Sequence, residues 1–237
     1  MVMPNPVLLM TRPRKGAERF VAMLPPEVRG RIDICHAPLL EIESLPVSPD
    51  LEGVRGVIFT SSNAVASVEV HDLPAFCIGE ATTKKAALAG WYARQAGQDA
   101  DSLVAELCRS RPESPLLHLR GRHTRGEIAE RLSQCSLPTR EAIVYNQKLL
   151  PLGDEAIRLL KGERPVIAPV FSPRVARQFV ETACFSVNLH LVAMSEAVAE
   201  PFKGLAFGSM DVVERPNAEE VAKTVAGLVE RLMRVEG

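Results

Sequence analysis

Net charge is almost absent from this chain. Lys and Arg number 28 against 29 Asp and Glu, which leaves −1 at neutral pH. No global field therefore draws it to nucleic acid or a membrane surface, and no basic run of five or more residues occurs. No apolar stretch approaches the ~20 residues needed to span a bilayer. The opening "MVMPNPVLLMTRP" lacks the charged start and long apolar core of an export signal, so a cytoplasmic location is expected. The five cysteines, Cys35, Cys77, Cys108, Cys135 and Cys184, are scattered. None forms a CxxC, and no histidine lies at metal-ligand spacing. They read as buried thiols in a reducing compartment, with no metal. His36, His71, His118, His123 and His190 are dispersed too and read as structural or exposed. Nucleotide loops are missing: no GxGxxG follows a strand and no Gly-Lys-Ser/Thr closes a turn. GxSxG, HExxH and Cys–His pairings are missing as well.

What is present is alternation. Short apolar runs ("PVLLM" 6–10, "RIDICHAPL" 31–39, "RGVIFT" 55–60, "PAFCIG" 74–79, "WYARQA" 91–96, "PLLHLR" 115–120) read as strands. Further strands are expected at "EAIVYNQKL" (141–149), "PVIAPVF" (165–171), "LHLVAM" (189–194) and, weakly, near 205–214. Amphipathic stretches between them predict helices at 12–24, 99–110, 126–135, 153–162, 173–183, 196–202 and 217–234, with Asp99 or Asp101 capping the second. Such alternation predicts an α/β fold of parallel sheets covered by helices.

The pattern also repeats. "VLLMTRPRKGAERF" matches "LLHLRGRHTRGEIAERL", "VIFTSSNAV" matches "PVFSPRVA", "IGEATTKKA" matches "AMSEAVAEP", and "AGQDADSLVAEL" matches "VERPNAEEVAKTV". Four blocks in one order, drifting only by loop-sized insertions, predict two similar lobes.

In a parallel lobe, ligands sit beyond the C-terminal strand ends, where helix N-termini favour anions. Small residues recur at those points: Ser61 and Ser62 after Thr60, Gly79 and Thr82 after Ile78, Ser172 after Phe171, Ser195 after Met194. Each is either an ordinary N-cap or part of an anion cradle. Arginine-bearing turns follow two matched strands, one with Arg12 and Arg14, the other running from Arg120 to Arg125. They suit carboxylates, or are solvated surface charge. Tyr145, in "AIVYNQ", lies where one lobe ends and the chain returns to the other. Its phenol is either a proton donor facing a cleft or a strand tyrosine in a linker.

Taken together, "TRP", "VIFTSSNAV", "CIGEATTKKA", "LLHLRG", "IVYNQ", "VFSPRVARQF" and "RPNAEEV" make the chain resemble the uroporphyrinogen-III synthase family over almost its whole length. That resemblance implies two flavodoxin-like lobes joined by a two-stranded linker, with a cleft between them. Lobe one would be residues 1–38 plus 148–237, and lobe two residues 39–147. The implied reaction is cyclisation of the linear tetrapyrrole hydroxymethylbilane, with loss of water and inversion of ring D, and no cofactor. Ring A loses its hydroxyl to give an azafulvene, and ring D attacks through its substituted carbon, so orientation carries most of the catalysis. By the family pattern Tyr145 matches the proton donor. Ser62, Thr82 and Ser172 match substrate-lining positions, and Arg12 belongs to the strand-one turn. A monomer is implied, with possible transient contact with the preceding pathway enzyme. The second "IG…T" element departs from the pattern, with Met194 and Val198 in place of Gly and Thr. The other readings the residues leave open are a non-catalytic two-lobed binding protein for a small anion and a flavodoxin-like nucleotide enzyme.

Overall fold

The computed structural model describes residues 5–123, 126–183 and 185–234. Thr124 and Arg125 of the second arginine turn, and Cys184, lie outside the described residues. In chain order the elements begin with β1 (Val7–Met10), α1 (Arg14–Met23), α2 (Pro26–Arg29), β2 (Asp33–His36) and β3 (Leu40–Ser44). There follow β4 (Gly56–Phe59), α3 (Ser62–Val65), β5 (Pro74–Ile78), α4 (Glu80–Ala89), β6 (Tyr92–Gly97) and α5 (Ala100–Ser110). Then come β7 (Leu116–Gly121), α6 (Ile128–Gln134), β8 (Thr139–Leu149), α7 (Asp154–Lys161) and β9 (Val166–Val170). The chain closes with α8 (Pro173–Thr182), β10 (Leu189–Ala193), α9 (Glu196–Ala199), β11 (Ser209–Val212) and α10 (Ala218–Arg234).

Two compact units result: Met1–Glu41 with Leu149–Gly237, and Ile42–Lys148. The first holds a five-stranded sheet in the order β11-β10-β9-β1-β2, every neighbouring pair parallel. The second holds β6-β5-β4-β7-β8, again parallel, with β3 added beyond β8. The repeated sequence blocks equate β1 with β7, β9 with β4, β10 with β5 and β11 with β6. Under that equivalence the two sheets have the same order. One is a circular permutation of the other: the first unit begins with the two strands that end the second. β3 meets β8 through the Leu45 N–H donating to the Val144 carbonyl and the Leu150 N–H donating to the Leu39 carbonyl. The partner numbers run in opposite senses, so this pair is antiparallel.

The inner strands β1, β9, β10, β4, β5 and β7 are buried on both faces, which is why they read as continuous apolar runs rather than alternating ones. In the first unit Leu8, Met10, Ile167 and Val192 pack with Phe20 and Leu24 of the α1 segment and with Val221, Val225 and Leu228 of α10. Phe179 of α8 meets Phe202 edge-on at 6.0 Å. In the second unit, Val57 and Phe59 join Leu117, Leu119, Val144 and Tyr145 on one face, under Ala64, Val65 and Ala86. Ile58 and Leu116 point the other way, onto Leu103, Leu107, Ile128 and Leu132. Fully burying each such Leu, Ile or Phe stabilises by roughly 1.5–3 kcal/mol.

Several element ends differ from the sequence expectation for local reasons. α1 starts at Arg14, because Pro13 holds extended backbone (ψ 140°) as its cap. α6 starts two residues late, because Glu127 sits at φ 43°. The expected helix 196–202 is α9 followed by a 3-10 turn at Glu200–Phe202, where Pro201 cannot continue the hydrogen-bond ladder. The reading of all cysteines as free thiols is corrected. Cys108 on α5 and Cys135 after α6 are bonded, their Cα atoms 5.9 Å apart, across a separation of 27 residues. Cys35 and Cys77 are free and buried.

The cap of α5 is Asp99 rather than Asp101. The Ser102 N–H donates to Asp99 Oδ1 at 2.8 Å, and the Asp99 N–H donates to Ser102 Oγ at 3.1 Å. Asp101 instead pairs with Arg131 at the surface, 2.8 Å away. Asp99→Ala is expected to lower unfolding stability by ~1 kcal/mol and Asp101→Ala by under ~0.5 kcal/mol, measured by urea denaturation; equal losses would contradict the assignment.

Candidate functional site

Because the strands of each sheet, the antiparallel β3 aside, run one way, their C-terminal ends and the N-termini of the following helices lie along a single edge of each unit. In each sheet the chain departs in opposite directions from two neighbouring central strands, β1 and β9 in one, β7 and β4 in the other. Such switch points leave a crevice at the strand ends, where ligands bind.

At the first unit's switch point stands Arg12. It follows β1, is half-buried, and lies over the ring of Phe171 at the end of β9, with its Cζ 4.1 Å from the centroid. Burial, and then the nearby Arg19, pull its pKa below the usual guanidinium value. No carboxylate pairs with it among the described residues. Arg14, two residues on, is different: it is exposed and bound to Glu18 at 3.0 Å. The first-turn amides of α1, at Arg14 and Lys15, meet no acceptor among the described residues. Ser172, beside Phe171, caps α8 by accepting from the Val175 N–H at 3.2 Å. Its own hydroxyl proton stays available to an anion. Ser195 stands at the cap of α9 without a side-chain cap bond, and Val198 behind it is buried.

The second unit uses the same positions differently. Ser61 caps α3 by accepting from the Asn63 N–H at 3.2 Å. Ser62 opens that helix, and its carbonyl receives Lys85 Nζ at 2.5 Å. Gly79 adopts φ 72°, which only glycine holds without strain. Its N–H is already donated to the Gly97 carbonyl at 2.8 Å, so Gly79 shapes the turn and its amide is taken. Thr82, on α4, is 7% exposed. Arg120 does not point a free cation outward: its Nη2 lies 2.7 Å from Glu141. Tyr145 on β8 is 4% exposed, and its hydroxyl has no protein partner among the described residues. Its ring lies flush on Gly121; a Cβ there would come within 2.5 Å of it.

Three groups at this switch point escape sequence reasoning. Thr60 Oγ1 lies 3.2 Å from His118 Nε2, and His118 Nδ1 lies 3.4 Å from Glu141. His118 is fully buried. The only sequence signal was a histidine placed inside the apolar run "LLHLR". The bond from His118, then the closer Arg120, hold the Glu141 carboxyl down at about 2, against an ordinary 4.5.

Among the described residues no group of three or more His, Cys, Asp or Glu is placed to hold a metal ion. No helix among them is long and apolar enough to cross a membrane.

The depressed Glu141 carboxyl links folding to pH. A folded value below the unfolded one gives stabilisation that is complete above the ordinary value and is lost as pH falls from 4.5 toward about 2. The stability gap between wild type and Glu141→Gln should therefore stay constant from pH ~7 to ~5 and shrink below ~4.5, as read by denaturant midpoints. A gap independent of pH would contradict the pairing.

Comparison with known proteins bears on what these rims serve. A structure of uroporphyrinogen-III synthetase from Helicobacter pylori is similar in fold, with TM-score 0.66 and 17% identity over 94% of this chain and 99% of that one. A mutant uroporphyrinogen III synthase from Thermus thermophilus matches with TM-score 0.51 and 14% identity over 96% and 99%. No curated protein sequence matches. The family model for uroporphyrinogen-III synthase HemD matches residues 27–223. With most of its length inside that match, the chain belongs to the uroporphyrinogen-III synthase family, the enzymes that make uroporphyrinogen III in tetrapyrrole biosynthesis.

Proposed function

We propose that in this enzyme Arg12 takes a carboxylate of the linear tetrapyrrole, that open amides and hydroxyls at helix starts take others, and that Tyr145 protonates the departing hydroxyl. We further propose that the two compact units act as its domains and that a single chain suffices. The observation that carries the reading is Arg12 itself, a half-buried cation stacked on Phe171 at a switch point, with no carboxylate paired to it among the described residues. Half-burying a guanidinium is unfavourable unless an anion answers it. A polycarboxylate substrate supplies that anion.

The first-turn amides of α1 and the hydroxyls of Ser61, Ser62 and Ser172 extend the same chemistry. A hydroxyl that accepts from a helix amide can still donate to a carboxylate. Gly79 and Arg120 serve this rim indirectly, one through backbone conformation and one through its ion pair. Arg14, exposed and paired with Glu18, is available only by exchanging partners. Ser195 is available through its uncapped hydroxyl.

The chemistry then follows in balanced steps. Tyr145 donates its phenolic proton as the C–O bond of the hydroxymethyl group on ring A breaks, releasing water. The remaining carbon is electrophilic and conjugated with the pyrrole nitrogen. Ring D attacks it through its substituted carbon; the spiro intermediate fragments by breaking the bond from that carbon to the ring C bridge. The freed bridge carbon recloses on the unsubstituted α-carbon of the inverted ring D, and the proton lost from that α-carbon returns to the Tyr145 phenolate. The pyrroles supply the electrons. The protein's task is to hold the ends so that the substituted carbon, not the free one, comes within reach. A binding-only role is not favoured, given the family.

Purified protein supplied with freshly generated hydroxymethylbilane should yield the type III isomer, resolved chromatographically after oxidation; the spontaneous type I isomer alone would contradict the reading. Tyr145→Phe should keep its unfolding profile and lose ~10²–10⁴-fold in kcat; undiminished turnover would remove Tyr145 from the mechanism.

A further inference from the structure

Glu141 belongs to no part of the mechanism above, yet both of its oxygens are engaged. Oε1 faces His118 Nδ1 at 3.4 Å, and Oε2 receives Arg120 Nε at 2.8 Å. Each partner reaches a different loop. His118 continues to Thr60, the residue that leaves β4 and precedes Ser61 and Ser62. Arg120 Nη1 donates to the carbonyls of Gly121 and Arg122, at 3.0 and 3.5 Å. That second turn is tied to Tyr145 twice: the Arg122 N–H donates to the Tyr145 carbonyl at 3.0 Å, and Gly121 underlies the tyrosine ring.

The protons can be assigned. An ionised carboxylate only accepts, so His118 must carry its proton on Nδ1. When the ring carries only that proton, Nε2 is an acceptor and the Thr60 hydroxyl donates to it. This leaves the Thr60 oxygen lone pairs facing away and fixes its rotamer. The depressed pKa of Glu141 keeps the carboxylate ionised at neutral pH. His118, the middle of the chain, is fully buried and has lost its alternative partners, so it holds the geometry between Thr60 and the exposed Glu141.

We propose that Glu141 is a positioning residue for the cyclisation: through His118 it sets the Thr60–Ser62 turn, and through Arg120 the Gly121–Arg122 turn on which Tyr145 rests. The proposal rests on the reading that Tyr145 and the Ser61–Ser62 turn serve the reaction. One carboxylate thus governs the two loops that flank the β4–β7 switch point, without touching substrate.

The test joins a spectroscopic and a kinetic readout on the full chain. In wild type, long-range proton–nitrogen NMR correlations should report His118 as the Nδ1–H tautomer. In Glu141→Ala they should move toward Nε2–H, while Glu141→Gln, which keeps an acceptor, should restore Nδ1–H. In turnover, Glu141→Ala should lose ~10–100-fold in kcat/KM. Thr60→Val should lose less, and the double variant no more than Glu141→Ala alone, because both act along one arm. Thr60→Val removes a single hydroxyl at a loop, so it reports even if Glu141→Ala does not fold. Additive losses, an unmoved tautomer, or full activity in Glu141→Ala and Thr60→Val would overturn the proposal. If wild type still makes the type III isomer, that failure belongs to Glu141 alone; if wild type makes none, the functional reading itself falls.

Discussion

Parallel pairing is the constraint from which the rest follows. Once every strand in a sheet runs one way, each return must cross over as a helix, and every helix start lands on the same edge. Unpaired amides, cap hydroxyls and turn arginines collect there. No cluster of acids and bases is needed to build a site for a polyanion; the direction of the strands supplies most of it. The same constraint explains why two halves of the sequence resemble each other: both solve one packing problem with one strand order, entered at a different strand.

Within each edge, what matters is which groups remain uncommitted. The chain is nearly neutral, so its cations matter only locally. Arg14 has Glu18 and Arg120 has Glu141, whereas Arg12 has an aromatic face and no carboxylate paired to it among the described residues. The two switch points are accordingly bridged in different ways. In one unit a cation stacks on Phe171 and awaits a charge. In the other a hydrogen-bonded chain from Thr60 through His118 to Glu141 joins two loops. The two switch points thus differ in what they bring together, although both descend from the same pattern of blocks.

Much of this was legible in the sequence. The alternation, the repeat and the matching of strand-end turns all depend on local patterns, and local patterns are what a sequence displays. Ser61 and Ser172 could be placed at helix starts for the same reason, and both do cap their helices. What could not be read were pairings set by the fold. Arg12 and Arg14 look alike two residues apart; only the direction of the chain after Pro13 sends one over Phe171 and the other into solvent. Thr60 and His118 are 58 residues apart, His118 and Glu141 another 23. The bond between Cys108 and Cys135 was hidden in the same way, since spacing alone does not bring α5 and α6 together. Gly79 was legible as a small residue at a strand end, but neither its φ of 72° nor the bond that spends its amide on Gly97 was.

The account stands or falls on Arg12 as an anion receptor. Its most direct measurement is the affinity of wild type and Arg12→Gln for an octacarboxylate porphyrin, titrated by fluorescence with folding checked by circular dichroism. A charge-assisted bond to a partly buried guanidinium predicts weakening by ~10–100-fold. Equal affinity in the two proteins would contradict it.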